Sequence, residues 1–288
     1  MLKRRGWQPP SRNALLLNGA VAIFALLSGA AALRSSVFTP EISPCTMRYL
    51  NAAGMGLERE GRPMQVSELQ ASLSNTDWGL LERAKVVGLK SGPARQAIAF
   101  ETGFERPAGA EGETRQGVGF VWASQATPPS AAACLAYSVF VPEDFDFGSG
   151  GRLPGLVGWR QDDPKSKETP LSARIGFTPE GNIGVQPQLA TKLDQDSRAM
   201  GGERGGARLL PGRWTALEQE VILGTPGKND GTVRLWVDGS LAFERTNIAI
   251  RADEQSLITG VLADVWVRRG KGGTKPGTLW VSPFELRW

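Results

Sequence analysis

The sequence predicts an all-β protein, a jelly-roll β-sandwich, on three observations. Beyond about residue 78, apolar residues alternate with period two over several stretches, the pattern of strands with one buried face. The chain's 36 Gly and 19 Pro cluster between those stretches as turn signals. No helical stretch of useful length interrupts them. The sandwich region runs to roughly 210 residues, beyond the ~100 of a seven-stranded immunoglobulin domain and better suited to a jelly roll.

Element by element, the chain opens with Lys3-Arg4-Arg5 and an apolar run from Ala14 to Leu33. Positive charge followed by an apolar stretch is the pattern of export. The small residues Ala30-Ala31-Ala32 suit signal cleavage, whereas about 20 apolar residues also suffice for a membrane anchor. Residues 1–33 are therefore expected to be a signal peptide or anchor helix. Residues 34–77, with weak periodicity, read as a linker or stalk, and Ser67 as the cap of a short helix over Glu68–Leu73. The sandwich domain is expected over 78–288. In it, Leu135, Tyr137, Val139 and Val141 alternate with other residues, as do Val233, Leu235 and Val237. Asp238-Gly239 between two such runs is a strong hairpin signal, because both turn positions want positive φ. Leu257–Arg268 and Thr278–Trp288 supply further strands.

Charge and composition exclude several functions. Lys and Arg number 33 against 29 Asp and Glu, but residues 1–33 hold four of the cations and no acid, so the remainder is formally neutral. A nucleic-acid partner is not expected. With no histidine and two cysteines, histidine triads, HExxH sites and four-thiolate zinc sites are absent. No cofactor and no metal is expected. In an oxidising compartment Cys45 and Cys134 are free to pair; two buried thiols are the alternative. The expected compartment is periplasmic or extracellular, with membrane attachment through residues 14–33 if they are retained.

The most distinctive stretch is Tyr137-Ser-Val-Phe-Val-Pro-Glu-Asp-Phe-Asp-Phe147, followed by Gly150-Gly-Arg-Leu-Pro-Gly155. Further on come Asn229-Asp-Gly231, Leu235-Trp-Val-Asp-Gly239, Arg251, Ile258 and Gly260. This ordered set resembles the polysaccharide lyase family 14 domain, which includes alginate and polyglucuronate lyases. The resemblance implies a concanavalin-like jelly roll with a cleft for an anionic, uronic-acid polysaccharide as partner.

Elimination across a uronate linkage needs a group that neutralises the carboxylate, a base for the C5 proton and an acid for the leaving oxygen. Lyases of this family are similar in using a Lys of a Gly-Gly-Lys segment, a Ser-x-Arg pair and a Tyr-x-Tyr pair. By that resemblance the Lys position is Arg152, the Ser-x-Arg pair is Ser172 and Arg174, and the Tyr-x-Tyr positions are Gln186 and Gln188. Arginine neutralises a carboxylate bidentately but gives up no proton, and glutamine does not titrate. Arg152, Ser172 and Arg174 are thus the candidate catalytic residues. Gln186, Gln188 and Trp159, a candidate sugar-stacking ring, are the candidate substrate contacts. Two functions remain open: β-elimination, or non-catalytic binding on the same fold.

Overall fold

Period-two alternation resolves into two antiparallel sheets that share one core. The structure, a computed structural model, describes residues 42–73, 77–102, 115–160, 171–189, 207–268 and 275–288. The expected leader helix lies outside them. Among the described residues, no helix is long and apolar enough to cross a membrane.

A 3-10 turn at Cys45–Met47 precedes β1 (Ala52–Gly54), the small hairpin of β2 (Glu58–Arg59) and β3 (Arg62–Pro63), and the short helices α1 (Val66–Ser72) and α2 (Leu80–Arg83). Then come β4 (Ala84–Gly88), β5 (Gln96–Thr102), β6 (Arg115–Trp122), β7 (Ala132–Val141), β8 (Gly151–Arg160), β9 (Leu171–Phe177) and β10 (Ile183–Leu189). The last group is β11 (Arg213–Ile222), β12 (Gly231–Val237), β13 (Ser240–Ile248), β14 (Ser256–Arg268), β15 (Gly277–Val281) and β16 (Glu285–Arg287). One sheet of nine strands follows the order β13-β12-β11-β7-β15-β5-β4, with β16 paired to β7 and β1 to β16. The second has five strands in the order β10-β9-β8-β14-β6.

The alternation sorts side chains as the sequence predicts. Leu135, Tyr137, Val139 and Val141 of β7, with Val233 and Leu235 of β12, meet Leu153, Ile175 and Val261 of the five-stranded sheet in one core. Asp238 and Gly239 turn β12 into β13 with φ of 49° and 81°. The expected linker over 34–77 is different: from Ser43 onward the chain belongs to the sandwich body. Met55, Leu57 and Leu69 are buried in the core, and a Cys45–Cys134 disulfide ties the segment to β7. Elements of two or three residues leave no readable period, which is why this stretch resembles a stalk. The cap of α1 is Gln65 rather than Ser67, in a reciprocal box with Glu68.

One irregularity positions everything that follows. Strand β8 slips register against β9 between Leu153 and Leu156, a bulge that lets both leucines face the core and accommodates Pro154. Two polar side chains of the opposite sheet reach through the core to it. The Tyr137 hydroxyl donates to the Pro154 carbonyl at 2.9 Å. Gln219, fully buried, accepts from the Leu156 amide at 2.8 Å and donates to the Ala173 carbonyl at 2.5 Å. Backbone groups that a regular ladder would have paired are satisfied from across the sandwich.

Candidate functional site

The Gly-Gly-Arg-Leu-Pro-Gly segment enters β8 through two glycines with separate reasons. Gly150 has φ of 89°, and Gly151 has no room: a Cβ there would lie 2.1 Å from the Trp266 carbonyl oxygen and 2.4 Å from the Phe177 ring. The next residue, Arg152, is delivered to the outer face of the five-stranded sheet, opposite Trp266 of β14 and Gly176 of β9. Gly155, within the bulge, has no room either: a Cβ there would lie 2.1 Å from the Ala173 carbonyl oxygen.

On that face a connected cluster forms. The guanidiniums of Arg152 and Arg268 lie 5.5 and 5.7 Å from the Trp266 ring centroid, both within cation–π range. The indole Nε1 donates to Asp264 at 3.1 Å, and Arg174 Nη1 donates to the same carboxylate oxygen at 2.9 Å. Asp264 is 4% exposed and Trp266 6%. Arg174 thus pairs with Asp264, while Arg152 and Arg268 lie against the indole that the same carboxylate orients.

The expected residues are brought together only in part. Arg152, Arg174 and Ser172 share the outer face, but Ser172 is only 2% exposed. Gln186 and Gln188 occupy the register positions across from Arg174 and Ser172; their side chains lie outside the described residues. Trp159 is near the other end of β8, beside Leu257, seven residues or roughly 20 Å from Arg152. The ring beside Arg152 is instead Trp266, which strand position alone reads as a core or edge filler. Asp264, and Arg268 in what the sequence presents as a solvated basic loop, were also missed; their signal is parity along β14, where 264, 266 and 268 share a face.

Both tyrosines are placed away from this face. Tyr137 is in the core, where burial pushes its phenol well above the usual range. Tyr49 is bonded to Glu220 of β11 at 2.9 Å, on the other sheet; burial first, then the Glu220 charge, raises its phenol. The five strands themselves contain no Tyr, His or Lys, and Asp264 is their one carboxylate. The acidic turn before Gly150 is structural, since Asp146 accepts from the amides of Gly148 and Lys275 at 2.8 and 3.0 Å.

The profile of the family described as Polysaccharide lyase 14 matches residues 96–267. The chain belongs to the polysaccharide lyase 14 family. Comparison with curated proteins returns no match. Among solved structures, the PL-14 alginate lyase of Aplysia kurodai is 19% identical, with 83% of this chain and 98% of that one covered and a TM-score of 0.63. An alginate lyase from a Chlorella virus is 14% identical at a TM-score of 0.58, covering 82% of this chain and 98% of its own. The endo-β-1,4-glucuronan lyase of the fungus Trichoderma reesei is 12% identical at a TM-score of 0.50, covering 83% and 95%. These likenesses establish the sandwich fold of the polysaccharide lyase 14 chain.

Proposed function

We propose that this protein binds an anionic, uronic-acid polysaccharide on the outer face of its five-stranded sheet, and that recognition there proceeds without bond cleavage. The observation that carries the reading is the Arg152–Trp266–Arg268 stack. It pre-orients two planar guanidiniums whose in-plane donors match the two oxygens of a carboxylate. Arg174 contributes less, because Asp264 already offsets its charge. Elimination would need a base and an acid, and the five strands offer only Asp264, which is occupied by Arg174 and Trp266. Family membership favours the second reading, elimination with Arg152 and Arg174 neutralising the carboxylate and proton transfer supplied from outside these strands. The placement we propose is periplasmic or extracellular, supported by the leader composition and by a disulfide that an oxidising compartment sustains.

The deciding experiment mixes the protein with alginate and polyglucuronate and follows ultraviolet absorbance from the unsaturated sugar end that only elimination creates. A flat trace, with binding in wild type that Arg152→Ala weakens, is the expected result. A rising absorbance that Arg152→Ala abolishes would replace binding by catalysis.

A further inference from the structure

On the outer face of the nine-stranded sheet, three aromatic side chains form a row. Trp214 of β11 and Trp280 of β15 are the register partners of Phe140 on β7, one to each side. Phe140 and Trp280 stack with centroids 5.2 Å apart, and Phe140 and Trp214 lie 5.6 Å apart. Parity forces this: Val139 and Val141 enter the core, so Phe140 points outward. All three rings are half-buried and stand outside the core cluster, so each keeps part of its surface in water. Pairing across strands stabilises the sheet, and the part of each ring left in water is apolar surface that a ligand can cover.

The surroundings give the patch a charge preference. The loop 89–95, joining β4 to β5, comes against Trp214 so closely that a Cβ on Gly92 would lie 2.9 Å from the indole nitrogen. That loop carries exposed Lys90 and Arg95 and no acid. Neither cation has an ion-pair partner among the described residues, whereas the nearby Lys85 and Arg213 are offset by Glu101 and Asp238. Among the described residues, the row therefore has a cationic edge at loop 89–95 that no ion pair offsets.

We propose that this row is a second binding site for an acidic polysaccharide, distinct from the arginine cluster on the other sheet. Pyranose rings present C–H faces that pack on aromatic faces, and neighbouring strands ~4.8 Å apart repeat the rings at a spacing close to one sugar of an extended chain. Carboxylates along the chain then meet Lys90 and Arg95. The inference rests on the reading of the protein as a binder of uronate polymers, but it concerns a different face, so one polymer engages two surfaces or two polymers are bridged.

The test is calorimetric titration with mannuronate, guluronate and glucuronate oligosaccharides, with neutral cello-oligosaccharide as control. Wild type is expected to show two sites per chain. Trp280→Ala, and separately Lys90→Glu with Arg95→Glu on the exposed loop, should each leave one. Arg152→Ala with Arg268→Ala should remove the other. On long alginate, the row variants should bind roughly tenfold more weakly, because attachment at two points is lost. A single site untouched by Trp280→Ala and by the loop reversal would overturn this proposal and leave the arginine cluster standing. A single site that survives the double arginine change but not Trp280→Ala would do the reverse. Equal binding of the neutral oligosaccharide, or self-association of the protein abolished by Trp280→Ala, would also overturn it.

Discussion

Asp264 is the residue on which the arginine cluster depends. It holds Arg174 and the Trp266 indole through one oxygen while nearly excluded from water. Asp264→Ala takes this counter-charge from Arg174, whose side chain is 16% exposed, a change that costs about 3 kcal/mol. Urea unfolding should register the loss, and replacing Arg174 as well should recover part of it. Glu220 makes a second prediction, through pH. Burial acts to raise its carboxyl, but hydrogen bonds from Arg48, Arg234 and Tyr49 outweigh burial and hold it below the usual range. A carboxylate lowered by folding stabilises above its unfolded value, about 4.3, and that contribution is lost as pH falls through the folded one. Unfolding free energy should therefore drop below about pH 4, with a shallower drop in Glu220→Gln. Neither acid announces itself in the sequence. Alternation shows that 262, 264 and 266 share a face of β14, but a strand buried on both sides carries no mark of which side meets solvent. Arg152 and Arg174 came into view only through the resemblance to the lyase family, whose Gly-Gly-Lys and Ser-x-Arg segments fall on them. Gln219 was not, because a glutamine facing a core has meaning only once the bulge it serves is known.

Among elements, β8 makes the clearest demand on its neighbours. Its bulge is served by Tyr137 and Gln219, both from the opposite sheet. Gln219→Leu keeps the volume but strands an amide and a carbonyl in the core, each costing about 1–3 kcal/mol. The midpoint of chemical unfolding should fall accordingly, and further than in Tyr137→Phe, which strands one group. The strands that alternate cleanly, β7 and β12, were readable in their facing as well as their position. The β2–β3 hairpin and β1 were not, since two or three residues cannot display a period. Their place is set by partners far along the chain, such as Leu286 opposite Ala53.

For the molecule as a whole, the sandwich and its family were legible because several spaced motifs agree in order, whereas the N-terminal boundary was not. A protein begun at residue 78, where alternation starts, lacks β1, α1, the buried Met55, Leu57 and Leu69, and the partner of Cys134. It should melt well below one begun at Ser43, or accumulate as disulfide-linked dimers. The disulfide alone, closing a loop of 89 residues, contributes about 5 kcal/mol in the chain-entropy account. That closure also makes the first third of the body a covalent ring. A protease that nicks the backbone once between Cys45 and Cys134 produces no separate fragments: the two pieces stay joined at sulfur, and a denaturing gel shows one band until a thiol is added. Damage that would divide an open chain stays hidden in this one, with β7, the strand holding the second cysteine, tied to the residues that precede the cut.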